Sequence, residues 1–242
     1  MISFGPYPVE ITLMTTRPAQ CSIALLLAAG ILFAGPPVEP FNGKNLDGWN
    51  LKHHGKGDNH WTVGTAAIST ADPRELTASE GGNQLINVHG HGQDLFTKQT
   101  FRNAIVELEV MVPKGSNSGI YLMGEYEVQV LDSFGKDKPN EGDMGAIYGV
   151  RPPTNPPYRA PGQWNTFRID FQAPRFDGAG KKIASAKFIK VELNGKVIHE
   201  NVEVPAPTRS ALTGKERPAG PLMLQGDHGP VAYRNLRITP RD

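Results

Sequence analysis

Carboxylate and amide side chains recur within one strand-like segment, residues 117–132 of the 242-residue chain. In its second half, Val128 and Val130 alternate with Glu127 and Gln129, which is typical of a strand with one apolar and one polar face. Polar side chains on one face of a central strand are costly to bury unless that face lines a wet cleft. The segment therefore predicts a binding or catalytic site.

A second acid, Asp132, follows Glu127 by five positions and so falls on the opposite face of a regular strand. A bulge at Val130–Leu131 would turn its side chain back beside Glu127 and Gln129. We therefore predict a bulged strand that directs two acids toward one cleft. Paired acids are the groups that glycoside hydrolysis requires.

The elements that must position these groups are predicted to be strands, because no window of a dozen residues shows a capped helical stripe. The predicted strands are 61–68, 84–88, 104–112, 118–123, 126–131, 145–149, 165–171, 186–193, 196–199, 221–225 and 231–238. A tight turn is expected at Gly124, and Asn194–Gly195 is the strongest hairpin signal. The pattern, with 27 Gly and 21 Pro, predicts an all-β fold of two facing antiparallel sheets.

The composition, with 38% apolar and 20% charged residues, is that of a globular protein. A formal net charge of +1 makes nucleic acid a poor candidate partner. Residues 40–242 contain no linker, charge run or repeat, so we predict a single domain there. Long connections at 133–144 and 151–163 are expected at the rim of one sheet, where such loops usually serve function.

Residues 1–39 are predicted to be a signal peptide with a disordered N-terminus. Arg17 precedes an apolar run over 23–34, and small residues follow at 34–37. The run is short for a bilayer span, although an uncleaved anchor helix is the alternative. Cys21, the single cysteine, precedes the run, so the mature domain would lack disulfides. We expect an exported protein, periplasmic or extracellular, with no stable membrane span after signal removal.

Histidines form two local groups that are candidate metal ligands. His53, His54 and His60 lie near the N-terminal end of the domain, and His89 and His91 form a pair. Neither group has a spacing used by zinc enzymes, although a shared strand face would let the pair complete a site with a carboxylate. We predict no metal site and no cofactor. A divalent cation such as calcium, held by backbone and Asp oxygens, is the alternative.

Nine short motifs occur in order along the chain. They are FNGKNLDGW at 41–49, DLFTK at 94–98, NSGIY at 117–121, YEVQVLD at 126–132, GAIY at 145–148, PGQWNT at 161–166, LNG at 193–195, LQGDHG at 224–229 and YRN at 233–235. Over roughly residues 41–240 the chain thereby resembles the 3-keto-disaccharide hydrolase domain family. The resemblance implies a concanavalin A-like jelly-roll β-sandwich with a concave sheet that holds a sugar.

The segment 127–132 is also similar to the bulged catalytic strand of laminarinase-type glycoside hydrolases. Gln129 replaces the middle carboxylate of that strand, and the shorter Asp132 replaces the last one. Because Gln129 does not titrate, these changes argue against a copy of the double-displacement mechanism.

Two mechanisms suit an acid-lined cleft. In ordinary glycoside hydrolysis one acid protonates the leaving oxygen, while a carboxylate acts as nucleophile or base. In a 3-keto sugar the ketone acidifies the proton on C2, so a base removes that proton and the enolate expels the C1 substituent. Water then adds back, and the net result is hydrolysis.

Roles for individual residues follow from these mechanisms. Glu127 is predicted to be the base or nucleophile, Asp132 its partner, and His228 the proton donor or enolate stabiliser. Asn117 and Gln129 would hydrogen-bond ring hydroxyls. The remaining predicted substrate-binding residues are Tyr121, Tyr148, Trp164, Gln225, Asp227 and Arg234.

Several of these residues have alternative roles in the fold. Glu127 and Asp132 could form a solvated edge, and His228 could be a structural hydrogen-bonding residue in its turn.

Two further residues have such alternatives. Tyr121, Tyr148 or Trp164 would form an apolar platform for the sugar, but Trp164 also suits packing in the core. Arg234 equally suits an ion pair that anchors the last strand.

The favoured interpretation is an exported carbohydrate-active enzyme that cleaves 3-keto glycosides by hydrolysis or by elimination and hydration. A non-catalytic carbohydrate-binding module and a plain glycosidase acting on β-glucans are the alternatives. Lectin-like sites need aromatic and amide side chains but no titratable pair, so the two predicted acids favour the enzyme.

Overall fold

The structure, a computed structural model, describes residues 1, 2, 5, 35–53 and 57–241. The chain divides into two units, Met1–Ile31 and Leu32–Asp242. In the first unit Met1 and Ile2 are exposed, and the apolar run and Cys21 of the predicted signal lie outside the described residues. Within the described part, no helix is long and apolar enough to cross a membrane.

Strands account for all the regular elements of the described residues, so the all-β prediction is confirmed. They are β1 (Trp49–Lys52), β2 (Trp61–Ile68), β3 (Leu76–Asn87), β4 (Asp94–Phe101), β5 (Ala104–Met111), β6 (Asn117–Leu122), β7 (Tyr126–Leu131), β8 (Asn165–Gln172), β9 (Arg175–Phe176), β10 (Lys182–Ala184), β11 (Ala186–Leu193), β12 (Lys196–Val204), β13 (Gly220–Leu224) and β14 (Val231–Pro240).

Two antiparallel sheets form the sandwich. One has five strands in the order β1-β4-β13-β6-β7, and the other has seven in the order β12-β11-β8-β5-β14-β3-β2. Val128 and Val130 of β7 meet Val106 and Leu108 of β5 in one buried cluster. The core therefore lies between the sheets, and the side chains at the intervening positions of β7 point away from it.

Most of the predicted strands are present in the structure. The bounds of β2, β7 and β11 are as predicted, and Asn194 and Gly195 turn the β11–β12 hairpin with φ angles of 50° and 77°. The structure adds β1 and β4, whose polar residues obscure any alternation, and the short strands β9 and β10. The predicted strand at 145–149 forms only isolated bridges, through Ile147 to Val128 and Arg151.

The predicted bulge in β7 is wrong. The pairing of β6 with β7 keeps one register along its whole length. Asp132 consequently remains on the face opposite Glu127, where its carboxylate accepts hydrogen bonds from the backbone N–H of Gly115 at 2.9 Å and of Phe134 at 3.4 Å. A short acidic side chain at this position satisfies the backbone of the adjoining turns, and that role explains the residue without a bulge.

Trp164 and Arg234, predicted to bind substrate, lie on the outer face of the seven-stranded sheet. Arg234 donates to the Glu109 carboxylate from Nε at 2.8 Å and from Nη2 at 2.6 Å, and its guanidinium carbon is 4.1 Å from the centre of the Trp164 ring. Arg234 and Glu109 are register partners on β14 and β5. We therefore correct their assignment, because these contacts anchor the last strand.

Replacing Arg234 with Gln should lower the free energy of unfolding by about 1 kcal/mol, since an ion pair with two hydrogen bonds to one carboxylate oxygen and a cation–π contact are lost. Urea denaturation measures this change. The matched control is Arg237→Gln on the same strand, where the side chain is exposed and a loss under about 0.5 kcal/mol is expected. Equal losses in the two variants would contradict the anchoring role.

Candidate active site

A pocket of about 130 Å³ opens on the outer face of the five-stranded sheet. Seven predicted site residues line it, namely Asn117, Tyr121, Glu127, Gln129, Tyr148, Gln225 and His228. Arg209 and Ser210, which were not predicted, complete the lining. The structure therefore brings most of the predicted side chains together but leaves Asp132 outside the group.

Strand pairing explains this convergence. Tyr121 and Glu127 are register partners on β6 and β7, so their side chains share a face. Gln225 directly follows β13 and is held beside β6 by its N–H, which donates to the Gly119 carbonyl at 2.9 Å. On the other edge of β7, the N–H of Tyr148 donates to the carbonyl of Glu127 at 3.2 Å. The chain after β7 thus returns to the site through Tyr148, which lies in the segment 145–149 predicted to be a strand, and the loops predicted at 133–144 and 151–163 do not line the pocket.

Gly119 provides the space that the Glu127 carboxyl group occupies. A Cβ atom on Gly119 would overlap Glu127 Oε1 and would lie 2.9 Å from Cε2 of Tyr121. Any side chain at position 119 would therefore displace one of the two groups. The requirement for glycine here comes from close approach, since the φ angle of Gly119 is not in the left-handed region.

The Glu127 carboxyl group is buried, with only 3% of the residue exposed. Burial raises its pKa from an ordinary 4.5 to about 8, because the ionised form loses its hydration. A hydrogen bond with Tyr121 and the charge of His228 lower the pKa, whereas Asp227 and Asp94 raise it. Glu127 therefore exchanges its proton near neutral pH, as acid–base catalysts do.

His228 is held by its neighbour Asp227. The Nδ1 atom lies 2.5 Å from Asp227 Oδ1, and this hydrogen bond raises the pKa of His228 above its ordinary 6.5. Because Asp227 engages Nδ1, the Nε2 atom is the nitrogen left for other partners. Asp227, predicted to bind substrate, therefore contacts His228 but does not itself line the pocket.

The turn that carries His228 is fixed at Gly226. Its N–H donates to Asp94 Oδ1 at 2.9 Å, and its carbonyl accepts from Asn87 Nδ2 at 2.7 Å. A Cβ atom on Gly226 would overlap the carbonyl oxygen of Gln93 and lie 2.7 Å from Nε1 of Trp61. The turn is thus packed too closely against the sheet for any side chain at position 226.

The side-chain amide oxygen of Gln129 receives no hydrogen bond from the part of the chain that the structure describes. Its Nε2 lies 3.4 Å from Asn117 Oδ1, while its buried Oε1 has no hydrogen-bond donor among the described residues. Leaving a buried polar atom unpaired costs on the order of 1–3 kcal/mol. A ligand hydroxyl entering the pocket would satisfy it.

Sequence reasoning missed the loop 205–214, which carries Arg209 and Ser210. Lys52 Nζ donates to the Ser210 carbonyl at 2.8 Å and pairs with Asp94 Oδ2 at 3.4 Å. Ser210 has a positive φ of 60°. The loop has no strand alternation, and Lys52 belongs to β1, which was not predicted. Asp94, the partner of Lys52, belongs to the motif at 94–98.

The Glu125 carboxylate clamps the same loop. Its Oε1 accepts from the N–H and Oγ1 of Thr213, at 3.1 and 2.6 Å, and its Oε2 accepts from the N–H of Gly214 at 2.9 Å. Thr208 Oγ1 in turn accepts from the N–H of Glu127 at 3.0 Å. The loop and β7 are therefore joined directly.

The histidine groups do not form a metal site in the described residues, where no three His, Cys, Asp or Glu side chains cluster suitably. His89 and His91 lie in a bend after β3, so the expected shared strand face is wrong. His60 Nδ1 is 2.7 Å from the Gly90 carbonyl and its ring contacts His89. His54 lies outside the described residues, and the calcium alternative stays a prediction.

The model of one protein family, described as the 3-keto-alpha-glucoside-1,2-lyase-like domain, matches residues 36–239. The chain belongs to this family. The resemblance found in the sequence is thereby confirmed.

Individual relatives agree with this 3-keto-glucoside lyase-like assignment. The chain is 26% identical over 156 residues to a 3-keto-disaccharide hydrolase from Bacteroides thetaiotaomicron, a match over 53% of this chain and 50% of that protein. The chain therefore spans about half the length of this curated relative.

Two solved structures from Parabacteroides distasonis, each named as a candidate glycosyl hydrolase, share the fold. The first is 28% identical with a TM-score of 0.62, covering 84% of this chain and 83% of that one. The second is 16% identical with a TM-score of 0.59, covering 85% and 94%. The chain thus shares the β-sandwich fold of these two proteins and is similar in sequence to the first of them.

Replacing Glu127 with Gln should stabilise the protein increasingly as pH rises. Below pH 4.5 the carboxyl group is protonated in both folded and unfolded chains, but between 4.5 and about 8 only the unfolded chain ionises. The stability of the unchanged protein then falls by up to about 1.4 kcal/mol per pH unit relative to the variant. Urea denaturation at pH 5, 7 and 9 measures the divergence.

The control is Glu200→Gln on β12, where the carboxyl group is exposed to water. This variant should track the unchanged protein at every pH. A constant difference between Glu127→Gln and the unchanged protein from pH 5 to 9 would show that the Glu127 pKa is not raised.

Proposed function

We propose that the protein cleaves 3-keto glycosides by elimination followed by hydration, with Glu127 as the base. The supporting observation is a single buried acid that titrates near neutral pH and shares a small polar pocket with His228. A base of that pKa suits removal of a proton from carbon next to a ketone.

In the proposed reaction, ionised Glu127 takes the proton from C2 and an enolate forms at C2–C3. The enolate re-forms the ketone, a double bond forms between C1 and C2, and the bond from C1 to the leaving oxygen breaks. His228 gives a proton to that oxygen from Nε2. Water then adds to C1 and gives up one proton to Nε2 of His228, C2 regains a proton from Glu127, and the products are a 3-keto sugar and an alcohol.

The lining of the pocket favours this route over a paired-acid glycosidase. Glu127 is the only carboxylate among the described lining residues, and Asp132 is engaged by backbone N–H groups on the opposite face of the strand. A retaining or inverting glycosidase needs two acids flanking the scissile bond. Elimination from a 3-keto sugar needs one base and one acid.

The remaining lining residues are assigned to the sugar and its developing charge. The unsatisfied Oε1 of Gln129 accepts a ring hydroxyl, and Asn117 and Gln225 supply further amide groups. Arg209 contributes a permanent cation, which is the proposed partner of the enolate oxygen. The proposal includes export to the periplasm or beyond, which rests on the residues at 17–37.

The decisive experiment compares a 3-keto-disaccharide with its unoxidised parent. We expect the protein to release monosaccharide from the oxidised sugar alone. Glu127→Gln should lower kcat/KM by a factor of about 10²–10⁴, which is the usual contribution of a general base, while Asp132→Asn should stay within about threefold of the unchanged protein.

Each other outcome excludes the proposal in a recognisable way. Binding without turnover of either sugar would indicate a carbohydrate-binding module. Turnover of the unoxidised sugar would indicate a plain glycosidase. Full activity in Glu127→Gln would remove this residue from the mechanism.

The role of His228 as acid makes its importance depend on the leaving group. Because phenols of low pKa depart without a proton, His228→Gln should lose about 10²-fold in kcat/KM on a 3-keto-disaccharide but under about tenfold on a 4-nitrophenyl 3-keto glucoside. Glu127→Gln should lose similar factors on both substrates. The reverse pattern would exchange the roles of the two residues.

A further inference from the structure

A second and larger cavity adjoins the proposed active-site pocket. Its volume is about 530 Å³, against about 130 Å³ for the pocket. Tyr148 and Arg209 line both, so the two spaces meet at these side chains. The smaller volume is well below the range of roughly 300–1,000 Å³ for sites that enclose a whole ligand. The pocket therefore suits one part of a substrate, with the rest extending past these two residues.

The two spaces differ in the chemistry of their walls. The pocket offers amide, carboxyl, imidazole and guanidinium groups. The wall of the second cavity is mainly hydrocarbon, contributed by Val150, Val204, Pro205, Ala206 and Pro207. Prolines lack a backbone N–H and so offer few donors to sugar hydroxyls.

The polar groups of the second cavity are few, and one is already engaged. The Thr208 hydroxyl donates to the Glu125 carbonyl at 3.1 Å and accepts from the N–H of Glu127. Glu141 adds a carboxylate, and the polar groups of Tyr148 and Arg209 lie at the boundary with the pocket. A second sugar ring, which carries several hydroxyls, would lose water there without replacing most of its hydrogen bonds. An apolar group would instead gain from burial.

Both walls of this cavity are fixed before any ligand arrives. The N–H of Thr208 donates to the Glu125 carbonyl at 2.9 Å, and Lys182 Nζ donates to the carbonyl of Pro205. On the other side, the bridge between Ile147 and Arg151 closes the turn that carries Val150. A preformed apolar cavity binds without first ordering its own loops.

We propose that this cavity is the leaving-group subsite of the enzyme and selects aromatic or other apolar aglycones over a second sugar. The inference rests on the proposed function, which places the sugar ring against Glu127 and Gln129. The scissile bond then lies near Tyr148, whose N–H bonds to the Glu127 carbonyl. The departing alcohol would carry its apolar part into the hydrocarbon-lined space.

The test uses methyl, benzyl and glucosyl 3-keto glucosides, in which methanol and benzyl alcohol have similar acidity. We expect kcat/KM to be at least tenfold higher for the benzyl compound than for the methyl one, mainly through KM, and the glucosyl compound not to exceed the methyl one by more than about threefold. These factors correspond to burial of a few carbon atoms in an apolar pocket.

Substitutions at Ala206 test whether the preference for the benzyl compound arises in this cavity. Ala206→Trp should remove most of the benzyl advantage while changing methyl turnover less than threefold, and Ala206→Leu should act in the same direction more weakly. The matched control is Ala179→Trp, another exposed loop alanine, in the turn between β9 and β10. It should leave all three rates unchanged.

The outcomes separate the two proposals. If none of the three substrates is turned over, the proposed function fails and this subsite fails with it. If the methyl compound is turned over but the benzyl compound is not favoured, or if both Ala206 variants affect methyl and benzyl rates equally, the subsite alone is overturned.

Discussion

The site depends on one constraint, which is that a carboxyl group must be buried on the outer face of a sheet whose other face forms the core. On β7 the two demands alternate residue by residue, with Glu127 and Gln129 facing the pocket and Val128 and Val130 facing the core. A strand is the element that permits this, because its side chains reverse direction at every position. The hydrocarbon packing on one face fixes the register, and the register then fixes where the acid points.

An acid on the outer face of a sheet would normally reach water, so something must cover it. Two irregular segments do so, the connection that returns through Tyr148 and the loop that carries Arg209. Backbone hydrogen bonds tie the first segment to Glu127 and Gln129 of β7 and the second to Gly124 and Glu125 just before the strand, and the Glu125 carboxylate also secures the second. Two glutamates two residues apart thus have opposite tasks. Glu125 is satisfied by donors from the loop, whereas Glu127 lacks enough partners to offset its burial, and its pKa rises accordingly.

The sequence predicts the features of this arrangement that depend on local alternation, but not those that depend on contacts between distant parts of the chain. Alternation within β2, β5 and β7 is local, so those strands and the pocket-facing positions of Glu127 and Gln129 were predictable. A bulge would be needed to bring Asp132 beside Glu127, but the carboxylate of Asp132 instead satisfies local backbone donors. Trp164 and Arg234 carry side chains typical of sugar sites, but their placement depends on which sheet holds β14, which no local pattern specifies. Lys52 meets the carbonyls of Ser210 and Ala211 only through long-range loop packing, which leaves no periodic signal.

The larger, apolar cavity could not be predicted from chemically reactive residues. Its wall is made of valine, proline and alanine, which carry no catalytic signal in a sequence and are common in any β-sandwich. Their arrangement becomes informative only beside the polar pocket, since the change from amide and charged groups to hydrocarbon occurs at Tyr148 and Arg209. A substrate that spans this boundary must itself change from polar to apolar across one bond. The boundary lies next to Glu127, so under the proposed function the bond that joins the two parts of such a substrate is the one that breaks after Glu127 removes the proton from C2.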